Sequence, residues 1–281
     1  MPDPAGRAGG ACTSAMLQVL YKDHQDSSAD LTFQQVLMKM RNVLSKGSYQ
    51  QIPQLTSSRP LDIHHKFDLV PEQCTGTRRA VMIGINYTGQ QGQLSGCHND
   101  VQNMKEYIQN VHGFSEENIT LLLDAEGYTQ PTHDNILAAY KKLVSECQAG
   151  DAVFCHYSGH GGKMRDDDGD EKDGHDETLV PVDFQTSNQI RDDDVFSTLI
   201  APMPRGVVIT CVMDCCHSGT VLDLPYHFVA DGEHDSMEIP ADFDFDKLKG
   251  LFKKFLELKA AAALAGNDPA AAVLQTCCAM M

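Results

Sequence analysis

Short apolar runs alternate with amphipathic stretches through the middle of the chain. The runs Ala80–Asn86, Ile119–Asp124, Asp151–His156 and Val207–Met213 are β-branched and apolar with little alternation, the pattern of strands buried on both faces of a parallel sheet. Between them, Asp100–Val111 and Asp134–Gln148 place apolar residues at helical spacing, and a shorter helix near Asp194–Ile200 precedes the last strand. Strands and helices alternating in this way predict an α/β fold: a mostly parallel central sheet flanked by helices on both faces.

The flanking regions carry weaker signals. Phe33, Val36, Leu37, Met40, Val43 and Leu44 line one face of a helix over Phe33–Lys46, with Thr32 and Gln35 as a capping box and Gly47 as the stop. Gln51–Ser57, which contains Pro53, reads as a short strand near a sheet edge. The polar stretch Asp62–Thr77, broken by Pro71 and Gly76, reads as a linker. Beyond Tyr226 the alternation fades into an acidic loop, Asp231–Asp246, followed by an amphipathic helix with Phe245, Leu248, Phe252, Phe255 and Leu256 on one side. The chain thus divides into residues 1–65, a linker at 66–78, an α/β region at 79–230, and a tail at 231–281 belonging to the same compact domain.

Charge narrows the partners. A formal charge of −17 argues against nucleic acid or an anionic membrane surface and for cations, either metal ions or basic peptide segments. The ten cysteines include the vicinal pairs Cys215–Cys216 and Cys277–Cys278, with no CxxC spacing and no disulfide framework. The segment Met-Pro-Asp-Pro-Ala-Gly-Arg lacks the apolar core of a signal peptide, and no run reaches the length of a membrane span. A reducing, cytoplasmic compartment is expected.

Candidate chemistry collects where strands end. Cys216, in Val-Met-Asp-Cys-Cys-His-Ser-Gly, follows one apolar strand, and His160, in His-Tyr-Ser-Gly-His-Gly-Gly, follows another 56 residues earlier. A cysteine at a strand end is most often a buried core thiol. Here polar Asp214 and His217 flank the pair, Gly219 permits close backbone approach, and a matching His-Gly sits at a neighbouring strand end. A thiol beside an imidazole is the equipment of a cysteine hydrolase, with the Gly161 amide placed to donate to an oxyanion. A zinc site from Cys155, His156 and His160 is disfavoured, because alternate residues of a strand face opposite sides. Leu-Ser-Gly-Cys-His-Asn-Asp (94–100) also leaves the sheet at a strand's carboxyl edge. Asp100 and Asp214 would then share a pocket beside Cys216 and select a basic side chain. The acidic loops around Asp166–Glu177, Asp192–Asp194 and Asp223 carry hard oxygen ligands suited to calcium. An EF-hand fails, because Glu171 stands where that loop needs glycine, and a bare acidic run reads first as a solvated loop.

Taken together, Ala-Val-Met-Ile-Gly-Ile-Asn-Tyr, Leu-Ser-Gly-Cys-His-Asn-Asp-Val, His-Tyr-Ser-Gly-His-Gly, Val-Pro-Val-Asp-Phe and Asp-Cys-Cys-His-Ser-Gly resemble the large catalytic subunit of the metacaspases, cysteine peptidases with the caspase-hemoglobinase fold. The resemblance implies that His160 and Cys216, rather than Cys215, form the catalytic dyad. It implies that Cys97, Asp100, Ser158 and Asp214 form the pocket for Arg or Lys before the cleaved bond of a polypeptide substrate. It also implies that Asp176, Asp192, Asp193 and Asp223 hold an activating Ca²⁺, in place of the solvated-loop reading. A monomer is expected. The segments at 9–20, 31–41 and 53–62 resemble the metacaspase small subunit, which usually follows the large one. Here it comes first, as in type III metacaspases, and the strand that usually opens the small subunit is not recognisable before Gly9.

Overall fold

A computed structural model of the chain describes residues 10–22, 31–47, 49, 51–165, 175–215, 221–241, 243–264 and 277–280. It begins with helix α1 (Ala11–Leu17), continued by a π-turn over Gln18–Lys22, then helix α2 (Phe33–Lys46) and strand β1 (Gln54–Ser57). The central alternation is β2 (Arg78–Gly84), α3 (Cys97–His112), β3 (Ile119–Leu123), α4 (His133–Glu146) and β4 (Ala152–Ser158). There follow β5 (Gly161–Arg165), β6 (His175–Leu179), α5 (Phe184–Ser187), β7 (Ile190–Arg191), α6 (Asp192–Val195) with a π-turn over Phe196–Ile200, and β8 (Val208–Asp214). The last elements are β9 (Tyr226–Val229), α7 (Phe245–Leu264) and β10 (Cys277–Met280).

Seven strands form one sheet in the order β3-β2-β4-β8-β10-β1-β9, and β5, β6 and β7 form a small separate sheet. From β3 to β10 the neighbours are parallel, whereas β1 runs antiparallel to both of its neighbours. This is the mostly parallel α/β sheet expected from the apolar runs. β1 lies one strand in from the edge, covered by β9. The acidic stretch after His160, read as a loop, begins and ends in a hairpin pairing Gly161 with Leu179 and Arg165 with His175. The tail, which carries little signal, contributes β10, seated between β8 and β1.

Alternation along each strand builds a core on each face. Val81 and Ile83 of β2 join a cluster with Ile136, Tyr140 and Leu143 of α4 and Leu251 and Phe255 of α7. Ala80 and Met82 point the other way, into a cluster with α1, α2 and α3. α2 has the predicted capping box: the Thr32 hydroxyl accepts from the Gln35 N–H at 3.2 Å and the Thr32 N–H donates to Gln35 Oε1 at 3.0 Å. The stretch read as a linker is packed, with Ile63, Phe67, Leu69 and Cys74 buried. Among the described residues no helix is long and apolar enough to cross a membrane.

Candidate active site

β4 and β8 end side by side. Their ladder pairs each β4 residue with the β8 residue 56 positions later, up to Ser158 and Asp214, the same interval that separates His160 from Cys216 in the sequence. Cys216 lies outside the described residues. His160 is within them, and its backbone is clamped by two buried tyrosines. Its N–H donates to the Tyr87 hydroxyl at 3.0 Å, and its carbonyl accepts from the Tyr157 hydroxyl at 2.8 Å. The Tyr87 ring packs 4.7 Å from the imidazole. Imidazole Nε2 lies 2.5 Å from the Gly92 carbonyl. A carbonyl only accepts, so Nε2 carries the hydrogen and the neutral ring presents Nδ1 as its base. Gly92 turns with φ 83°, and a Cβ there would stand 3.3 Å from Nε2. Gly161 opens β5, opposite Leu179.

The four predicted pocket residues come together at the carboxyl ends of β4 and β8 and the start of α3. Ser158 Oγ donates to Asp100 Oδ2 at 2.7 Å. Cys97 and Asp100 stand one turn apart on α3, whose first amides at Gly96 and Cys97 donate to Asn86 Oδ1 at 3.2 and 3.0 Å. Gly96 caps the helix, and Asn86, just beyond β2, satisfies the amides at its start from outside. Gly84 permits this close seat, because a Cβ there would meet the Cys97 carbonyl at 2.8 Å. Burial, then the Asp214 charge, pushes the Asp100 carboxyl up to about 7, and burial raises half-buried Asp214 as well. Burial also pushes the Cys97 thiol up to about 12, and burial with the charges of Asp214 and Asp100 raises Cys12. Both stay protonated at neutral pH and are poor nucleophiles.

Both carboxylates are met by the start of α1. The Gly10 N–H donates to both Asp100 oxygens at 2.8 Å, and the Thr13 N–H donates to Asp214 Oδ2 at 2.8 Å. Thr13 Oγ1 also bonds buried His156 Nε2 at 3.1 Å, and burial lowers that imidazole to about 3, keeping it neutral. His156 thus faces α1 while Cys155 lies in the opposite core, on different sides of the sheet as strand alternation requires. Seven residues are too few for a stable isolated helix. α1 exists because remote carboxylates order its first turn and its side chains are buried.

Three of the predicted calcium residues also meet. Oxygens of Asp192, Asp193 and Asp223 all lie within 4.8 Å of one another, and Asp192 is fully buried. Burial pushes Asp192 up to about 6 and raises Asp223 further, helped by the charge of Asp192. Asp176 is outside this group, ion-paired with Arg191 next to Asp192. The acidic residues 166–174 lie outside the described residues.

The family model for the metacaspase peptidase C14 domain matches residues 78–225. The chain belongs to the metacaspases. As a metacaspase it is a cysteine-type endopeptidase acting on polypeptides. Metacaspase III c of Phaeodactylum tricornutum is 59% identical over 254 residues, covering 90% of this chain and 75% of that protein. Metacaspase-1 of Pyricularia oryzae is 48% identical over 162 residues, and the match spans 41% of that longer protein. A solved Geobacter sulfurreducens protein aligns over 66% of both chains at 25% identity with a TM-score of 0.42.

Two features of this metacaspase site have no side-chain signature in the sequence. One is the Gly92 carbonyl that orients His160. The other is α1, whose backbone amides meet the acidic pair; Gly10 is the clue, because a Cβ there would stand 2.3 Å from Asp214 Oδ2 and 2.7 Å from Asp100 Oδ2. Gly10→Ala should therefore push α1 off the pocket, costing about 1–3 kcal/mol as an overpacked core position does. Denaturant unfolding reads that loss, and kcat/KM on a peptide substrate should drop with it. Wild-type values for both would disprove the contact.

Proposed function

We propose that this metacaspase cleaves after Arg or Lys, with Cys216 as nucleophile, His160 as its base, and calcium as activator. The observation that carries the specificity is the pairing of Asp100 with Asp214 beside the strand end that leads to His160. Two carboxylates in one partly buried pocket attract a guanidinium or ammonium and repel an acidic side chain. Cys97 and Ser158 line the same pocket.

His160 Nδ1 takes the Cys216 thiol proton, and the thiolate attacks the scissile carbonyl, forming the C–S bond. The Gly161 and Cys216 amides hold the oxyanion. Collapse of the tetrahedral intermediate breaks the C–N bond, and His160 returns its proton to the leaving amine. A water molecule then hydrolyses the acyl-enzyme with His160 again as base. Calcium fits Asp192, Asp193 and Asp223: the donors are hard oxygens, and Asp223 Oδ2 is buried without a hydrogen-bond partner. Bound there, calcium would supply positive charge to neutralise these carboxylates.

Matched fluorogenic peptides ending in Arg or Asp, with calcium or with chelator, test both halves. The arginyl peptide should be favoured by at least about a hundredfold, as expected when a buried charge loses its partner, and chelator should remove the activity. Equal turnover of both peptides would refute the pocket assignment. Unchanged activity in chelator would refute calcium activation.

A further inference from the structure

Lys247 in the first turn of α7 has a nearly buried side chain, 5% exposed. Its ammonium lies 2.9 Å from Asp223 Oδ1, 3.1 Å from Asp192 Oδ2 and 3.9 Å from Asp193 Oδ1. The helix start is fixed by Asp244, whose Oδ1 accepts from the N–H groups of Asp246 and Lys247 at 2.8 and 3.0 Å. Lys247, Leu251 and Phe255 recur at four-residue spacing, so they share one stripe, and Leu251 and Phe255 enter the core. Docking α7 therefore delivers the ammonium to the acidic trio.

Among the described residues Lys247 is the cation that meets all three carboxyl groups, and Asp223 Oδ2 remains buried without a hydrogen-bond partner. A buried oxygen left unbonded is unfavourable, so a cation that binds more oxygens at once would satisfy the site better. A lysine offers three donors from a single point, whereas calcium takes six to eight oxygens at about 2.3–2.6 Å. The two cannot share the seat. Bonded to the same oxygens, they would stand within a few ångströms of each other in a poorly screened interior.

We propose that Lys247 is a tethered cation holding the Asp192–Asp193–Asp223 seat, and that calcium enters only as the start of α7 withdraws. This rests on the calcium reading above. Withdrawal would also part Phe252 from Phe196, now edge-to-face at 5.2 Å, and so reach the π-turn that follows Asp192 and Asp193 on α6. Calcium affinity would be reduced by the fraction of molecules in which α7 is docked, making the helix a threshold device for the enzyme.

Calorimetric titration of calcium into the full chain, alongside Lys247→Met and Lys247→Arg, tests the competition. Lys247→Met should bind calcium at least about tenfold more tightly than wild type, and Lys247→Arg should stay weak. Independently, hydrogen exchange in the wild type should accelerate over residues 245–252 when calcium is added, and this decides the matter if Lys247→Met does not fold. Equal affinity in wild type and Lys247→Met, or exchange at 245–252 that slows or stays constant with calcium, would overturn the tethered cation while leaving calcium binding intact. Absence of calcium binding in every protein would remove the calcium reading and this inference together.

Discussion

Cys216→Ala should leave a folded protein whose peptidase activity is lost by on the order of 10⁴-fold or more, the scale seen when a covalent nucleophile is deleted. His160→Ala should lose a comparable factor, because without Nδ1 the thiol keeps its proton. Effects of groups acting as one unit do not add, so the double variant should be no worse than either single one. The control is Cys215→Ala. Cys215 packs against the apolar core, so its removal should cost stability while sparing turnover. An arginyl chloromethylketone should label wild type and Cys215→Ala but not Cys216→Ala. Labelling that follows Cys215 instead would reassign the nucleophile.

Asp100→Asn should reduce kcat/KM on arginyl peptides by on the order of 10²–10³, the few kcal/mol lost when a buried charge pair is broken. The same substitution should change the pH dependence of stability. Burial and Asp214 raise Asp100 from the ordinary aspartate value to about 7 in the folded protein. Between those two values the folded state binds more protons than the unfolded state, so stability falls as pH rises through that window and levels off above about 7. Recognition has the opposite sign, because an arginine side chain needs the carboxylates ionised, and kcat/KM should drop as pH falls below about 7. Thermal midpoints and kcat/KM collected from pH 5 to 8 read both trends. Asp100→Asn should flatten the stability trend, and a variant that still prefers Arg over Asp as strongly as wild type would contradict the pocket.

Much of the catalytic edge was legible because its strands are buried on both faces. β2, β4 and β8 show as mostly apolar runs, and the polar residues ending them stand out against that background. The interval between His160 and Cys216 also equals the ladder offset between β4 and β8. What stayed hidden depends on remote partners. Ala-Cys-Thr-Ser-Ala has weak intrinsic helix signal, and α1 is ordered by Asp100 and Asp214, 90 and 201 residues away from Gly10 and Thr13 respectively. Of the expected face of α7, Leu248, Phe252 and Phe255 pack on the core, whereas Phe245 and Leu256 are 48% and 60% exposed and Leu251 is buried with Phe255. Hydrophobicity alone cannot place Lys247 inward, because its burial depends on three carboxylates from other elements. The β5–β6 hairpin was masked by its charge, and the Ala-rich stretch before β10 offers no periodicity to read.

The position of β10 has a consequence for how the protein comes into being. Synthesis proceeds from the N-terminus at about 5–20 residues per second, so β8 leaves the ribosome several seconds before residues 277–280 exist. Until they arrive, the parallel ladder stops at β8, and β1 and β9 have no strand joining them to it. The strand that carries Asp214 then borders an open gap, a vulnerable state for an apolar strand. Closure of the sheet beside β8 therefore waits on residues 277–280, which are made after every other strand.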